Sequence, residues 1–108
     1  MVYTTSELAN IIRPIAEKYG LKAVFLFGSY ACGAATEGSD IDLLVDTAGT
    51  QIRGLFALGA LYCELENALK KEIDLITVST LEQRAQMPSE EQFKENVNRE
   101  RVKLYAVA

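Results

Sequence analysis

The chain has 108 residues, of which 49% are apolar, enough for one domain with a buried core. Its formal net charge is −4, with 11 Lys and Arg scattered among 15 Asp and Glu. That balance argues against stand-alone nucleic-acid binding, which depends on a basic surface that displaces counterions from phosphates. Histidine is absent, which excludes Ser-His-Asp and Cys-His nucleophile pairs and every histidine-bearing metal site. Any chemistry must rest on carboxylates, hydroxyls, amines and bound metal.

No apolar run approaches the roughly 20 residues that span a bilayer. The start, Met1-Val2-Tyr3-Thr4-Thr5-Ser6-Glu7, lacks the basic and apolar stretches of a secretory signal. A cytoplasmic protein that does not engage membranes is expected, with one domain over residues 1–108. Cys32 and Cys63 lack zinc-type spacing, so they read as free thiols acting as small buried apolar residues.

Thr4 and Glu7 have capping-box spacing, and Leu8, Ile11, Ile12, Ile15, Ala16 and Tyr19 then recur at helical intervals as far as Gly20. Pro14 inside this pattern predicts a kink or a break. Ala23-Val24-Phe25-Leu26-Phe27 reads as a buried strand, ending at Gly28-Ser29, where a helix is expected to begin. Further strands are predicted over residues 41–45 and 73–78. Between them Ile52, Leu55, Phe56, Gly59, Tyr62, Leu65 and Leu69 trace a helix over residues 51–70. After Pro88, Ser89-Glu90-Glu91 predicts a last helix, with a tail through Leu104-Tyr105. The order α-β-α-β-α-β-α predicts an α/β (α+β) fold, a small mixed sheet flanked by helices.

Three groups of residues carry chemistry. Gly28 lets the backbone turn sharply and approach a ligand, and Ser29 would offer amides and a hydroxyl to an anion; an ordinary strand-to-helix turn reads the same way. Asp40 and Asp42 share one face of a strand while Ile41 and Leu43 point into the core. Two like charges side by side are costly without a counterion, and a hard oxygen-seeking cation such as magnesium removes that cost. The plainer alternative is a capping aspartate followed by a solvated one. Asp74 lies in the apolar Ile73-Asp74-Leu75-Ile76 strand, where a charge needs either a partner or an outlet to water at a sheet edge. If that strand pairs beside the one bearing Asp40 and Asp42, all three carboxylates converge.

The pattern Gly28-Ser29, ten intervening residues, Asp40-x-Asp42 and a later Asp74 resembles the polymerase-beta-type nucleotidyltransferases. It is most similar to their smallest branch, the minimal nucleotidyltransferases, and the tail from Phe93 to Tyr105 shares that likeness. The resemblance implies that Gly28 and Ser29 hold the β- and γ-phosphates of ATP. It implies further that Asp40 and Asp42 ligate two magnesium ions, and that Asp74 completes the catalytic metal site and helps deprotonate an attacking hydroxyl. Attack on the α-phosphate would then transfer AMP and release pyrophosphate, with no histidine needed. One position departs from the pattern: Cys32 stands where such proteins commonly carry an arginine that helps neutralise the triphosphate. Lys70, Lys71, Arg53 and Arg99 are the other candidates for that charge.

Larger relatives carry a second domain for the acceptor, and this chain has no room for one, so the acceptor is expected on another molecule or on a second copy. Free-standing domains of this size resemble the antitoxin half of toxin–antitoxin pairs. The implied partner is a HEPN-type ribonuclease toxin, silenced by AMP transfer to a tyrosine hydroxyl. The chain itself cannot be the toxin, whose motif contains a histidine. Two alternatives stand beside this reading: a non-catalytic antitoxin that only occludes its partner, and a nucleotidyltransferase subunit acting on a small molecule or RNA beside a separate acceptor-binding chain. Tyr3, Tyr19, Tyr62 and Tyr105 read as core or rim aromatics, and Tyr30 as either surface or nucleotide-proximal.

Overall fold

The computed structural model describes residues 2–50, 52, 54–84, 92, 95, 97, 99 and 101–107. Helix α1 (Thr5–Tyr19) starts where its local chemistry dictates. The Thr4 hydroxyl accepts from the Glu7 amide at 3.1 Å, and the Glu7 carboxylate accepts from the Thr4 amide at 2.8 Å. It ends at Gly20, whose left-handed φ of 67° lets Gly20 and Leu21 donate back to Glu17 and Ala16. The break expected at Pro14 does not occur, and α1 runs through it. Pro14 and Asn10 both lie on the exposed side, so water can serve the carbonyl left without an amide partner.

Strand β1 (Ala23–Phe27) occupies the predicted residues, and β2 (Ile41–Asp46) and β3 (Ile73–Thr77) match expectation to within a residue. The expected helix after β1 is a correction: Gly28–Tyr30 forms a single 3-10 turn, after which glycines and small residues carry the chain to β2. Helix α2 (Gly54–Leu69) crosses from β2 to β3. Two elements went unpredicted. Helix α3 (Val78–Arg84) follows β3 directly, capped by the Thr77 hydroxyl, which accepts from the Thr80 amide at 3.1 Å. Strand β4 (Val102–Ala106) is formed by the tail. The expected opening at residues 89–91 lies outside the described residues, while Gln92, Glu95, Val97 and Arg99 have helical backbone.

The sheet order is β3-β2-β1-β4. Strand β1 runs antiparallel to β2 and β4, and β2 runs parallel to β3 through the α2 crossover, so the sheet is mixed, as expected. Alternation assigns its two faces. Val24, Leu26, Ile41, Leu43, Val45 and Ile73 meet α1 and α2 through Leu8, Ile12, Leu61, Leu65 and Leu69. On the opposite face Phe27 and Leu44 pack with Leu81 and Val97 in a smaller cluster. Asp42 and Asp74 project on the same side as Leu44. No described helix is long and apolar enough to cross a membrane.

Candidate active site

Parallel pairing of β2 with β3 puts Asp42 directly opposite Asp74, with Ile41 opposite Ile73 and Leu43 opposite Leu75. Adjacent strands lie about 4.8 Å apart, so the two carboxylates leave the sheet as neighbours. Asp40 precedes β2 by one residue and lies on the same side. Asp42 is half-buried, whereas Asp40 and Asp74 are exposed. None of the three accepts a hydrogen bond or joins an ion pair among the described residues. Among those residues no three acidic, thiol or imidazole groups are grouped closely enough to hold a metal ion as they stand.

The electrostatic consequence falls on Asp42. Burial, reinforced by repulsion from Asp74 and then Asp40, pushes its pKa up to about 6. A carboxyl in that state holds its proton too readily unless positive charge arrives. All the donors here are oxygens, the preference of a hard divalent cation such as magnesium, and the exposure of Asp40 and Asp74 leaves such an ion open to further ligands. The residues present therefore fit the metal that the sequence implies.

Gly28 forms the wall behind Asp42. Its φ of 72° lies in the left-handed region, and a Cβ added there would collide with Oδ2 of Asp42 and stand 3.1 Å from its Cγ. The loop beyond turns its amides inward more than expected. Ala31 and Cys32 donate to the Gly28 carbonyl and Ala34 to that of Ser29, at 2.9 to 3.2 Å. The Ser29 hydroxyl, half-buried and making no hydrogen bond among the described residues, stays available to an anion.

A profile of the nucleotidyltransferase domain matches residues 8–104, which takes in the glycine turn and all three carboxylates. The chain belongs to this nucleotidyltransferase family. A candidate protein adenylyltransferase of Methanocaldococcus jannaschii is 40% identical over 76 residues, covering 70% of this nucleotidyltransferase and 80% of the relative. The protein adenylyltransferase MntA of Thermococcus cleftensis is 34% identical over 82 residues, covering 72% and 81% of the two chains. A crystal structure of a toxin–antitoxin with AMP-PNP superposes with a TM-score of 0.69 at 25% identity, covering 92% of this chain and 73% of that one.

Other expected residues divide. Cys32 and Cys63 are free, as expected, but both are exposed, which corrects the reading of them as buried. Cys32 sits in the solvent-facing small-residue loop, with its thiol 3.6 Å from the Ser29 carbonyl. Tyr30 is buried at 7% exposure in the core against α1 and α2. Tyr3 and Tyr62 are rim aromatics whose hydroxyls donate to the carbonyls of Leu69 and Ile73, at 2.6 and 3.3 Å. Of the proposed phosphate cations, Arg53 lies outside the described residues, Arg99 already has a partner, and Lys71 donates to the Glu37 carbonyl. That last contact had no signal in the sequence, because 34 residues separate its ends.

Proposed function

We propose that this nucleotidyltransferase moves AMP from ATP to a tyrosine hydroxyl of a HEPN-type ribonuclease, silencing it, and so acts as its antitoxin in the cytoplasm. The observation that carries the reading is the in-register pair Asp42 and Asp74 beside Asp40, three carboxylates without a counterion among the described residues. The named relatives are protein adenylyltransferases, which favours a protein acceptor over a small molecule or RNA.

Asp40, Asp42 and Asp74 would hold magnesium, which when bound neutralises the triphosphate and the departing pyrophosphate. Gly28 brings backbone close to the phosphates, and Ser29 donates its hydroxyl to them. Asp74, exposed at the rim, takes the proton of the incoming tyrosine hydroxyl. The freed oxygen attacks the α-phosphorus, its new bond forms as the bond to the β-phosphate oxygen breaks, and pyrophosphate leaves. These residues position reactants and stabilise charge, which is most of what phosphoryl-type transfer requires of a protein.

The test is calorimetry of ATP binding with magnesium, followed by intact-mass analysis of the partner ribonuclease after incubation with ATP. The reading expects magnesium-dependent binding, an AMP adduct on the partner, and loss of both in an Asp40→Asn, Asp42→Asn double variant. Folded protein that binds the partner but neither binds ATP nor modifies that partner would establish the occluding antitoxin instead.

A further inference from the structure

The loop that delivers Asp40 is tied at several points. Within it, the Thr36 amide donates to the Ser39 hydroxyl at 2.9 Å and the Ser39 amide to the Thr36 carbonyl at 3.0 Å. These bonds make residues 36–39 a closed turn, but they do not fix where that turn sits on the protein. Two further bonds help to do so, both made with the segment that joins α2 to β3. The Ile41 amide donates to the Glu72 carbonyl at 3.1 Å, and the Lys71 ammonium reaches across to donate to the Glu37 carbonyl.

Lys70 makes this reach possible. It adopts a left-handed φ of 54°, which reverses the chain at the end of α2 and carries Lys71 toward the loop. The brace therefore spans the gap between the segment that leads into Asp74 and the turn that leads into Asp40. We propose that Lys71 is a positioning residue: by bracing the residue 36–39 turn against the start of β3, it sets the separation of Asp40 from Asp74. The inference rests on the carboxylate site proposed above, and it assigns Lys71 no contact with nucleotide or acceptor.

The sign of one measurement separates this role from simple electrostatics. Lys71 carries a positive charge on the segment that leads into Asp74, so as a mere point charge it opposes cation binding, and its removal should tighten a divalent ion. As a brace it does the reverse, because its loss lets Asp40 drift from the geometry that the ion needs.

The experiment compares the native full chain with Lys71→Met and Lys71→Arg. Three readouts apply: amide exchange at Ser39 and Ile41, Mn2+ affinity by electron paramagnetic resonance, and kcat and KM for AMP transfer to the partner ribonuclease. For Lys71→Met, exchange at Ser39 and Ile41 accelerates about tenfold while the urea midpoint stays near native. Mn2+ binding weakens, and kcat falls by about tenfold to a hundredfold with KM for ATP within about twofold of native, the expected cost of misplaced reacting groups. Lys71→Arg, which keeps a donor for the Glu37 carbonyl, restores most of each loss. Tighter Mn2+ binding, unchanged exchange, or a loss confined to KM for ATP would each overturn the proposal, the last by making Lys71 a nucleotide contact. If the native chain transfers no AMP, the reading of the site fails, while exchange and Mn2+ affinity still decide the role of Lys71.

Discussion

The Asp42 carboxylate lies over the bare Cα of Gly28, with its Cγ 3.1 Å from where a Cβ would stand and Oδ2 nearer still. The two residues come from antiparallel neighbours: Asp42 pairs with Phe27, the last residue of β1, and Gly28 follows at once. Gly28→Ala therefore meets two penalties. Its φ of 72° costs an L-residue about 1–2 kcal/mol, and the new methyl must displace Asp42. The variant should lose about 2 kcal/mol or more in urea unfolding, together with most of its ATP-dependent activity. An alanine variant with native stability and turnover would show that the Asp42 carboxylate is free to sit elsewhere.

Asp42 also makes the metal-free protein sensitive to pH. Its pKa, raised from 3.8 to about 6, means that the native state holds this proton more tightly than the unfolded chain. The stabilisation is complete below pH 3.8 and is lost as pH rises through about 6. Asp42→Asn removes the carboxylate while keeping the shape. Without magnesium, it should melt above native at pH 8, and the native-to-variant difference should shrink as pH falls through that window. Transfer activity should be lost in the same variant, an exchange of stability for function common at charged sites. A lower melting temperature for Asp42→Asn at pH 8 would mean that the carboxylate is satisfied by something other than a cation.

Much of this site was legible because its parts are short-range. Alternation along Asp40-Ile41-Asp42-Leu43 separates acidic from buried positions, and Ile41 and Leu43 are indeed fully enclosed. The convergence of Asp74 was conditional on pairing between β2 and β3, which single-strand periodicity does not specify; the register of Asp42 with Asp74 decided it. Strand β4 escaped notice because Val102-Lys103-Leu104-Tyr105 is brief and follows a predicted helix, although Val102 and Leu104 do alternate with Lys103. The 3-10 turn at Gly28–Tyr30 was misread as a helix start, since a glycine-to-serine exit from a strand is common to both. The Lys71 brace depends on tertiary approach alone.

Lys70 offers a test of local strain. It is the sole described residue other than glycine with a positive φ, and it sits at the end of α2, where glycine is the usual occupant. Lys70→Gly should stabilise the protein by up to about 1 kcal/mol, the relief of a left-handed L-residue less the added freedom of the unfolded chain. Because the turn also carries Lys71, activity should hold or rise slightly. A destabilised Lys70→Gly variant would mean that the lysine side chain contributes more than its backbone costs.

The last prediction concerns Cys32, the neutral side chain in the loop proposed to hold the phosphates. Ala31, Cys32 and Ala34 direct their amides to carbonyls of the same turn, so they offer an anion little, and the Cys32 thiol points back toward the Ser29 carbonyl. The position is exposed, so an arginine can be accommodated without disturbing the core. Cys32→Arg should tighten ATP binding by about threefold, the scale of one solvent-exposed charge pair. The gain should fade as salt is raised toward 1 M, where screening acts within about 3 Å. Magnesium-independent properties such as the urea midpoint should not move. Were ATP affinity in Cys32→Arg to stay native at low salt, the triphosphate would have to lie away from this loop, and the assignment of Gly28 and Ser29 to its phosphates would fall with it.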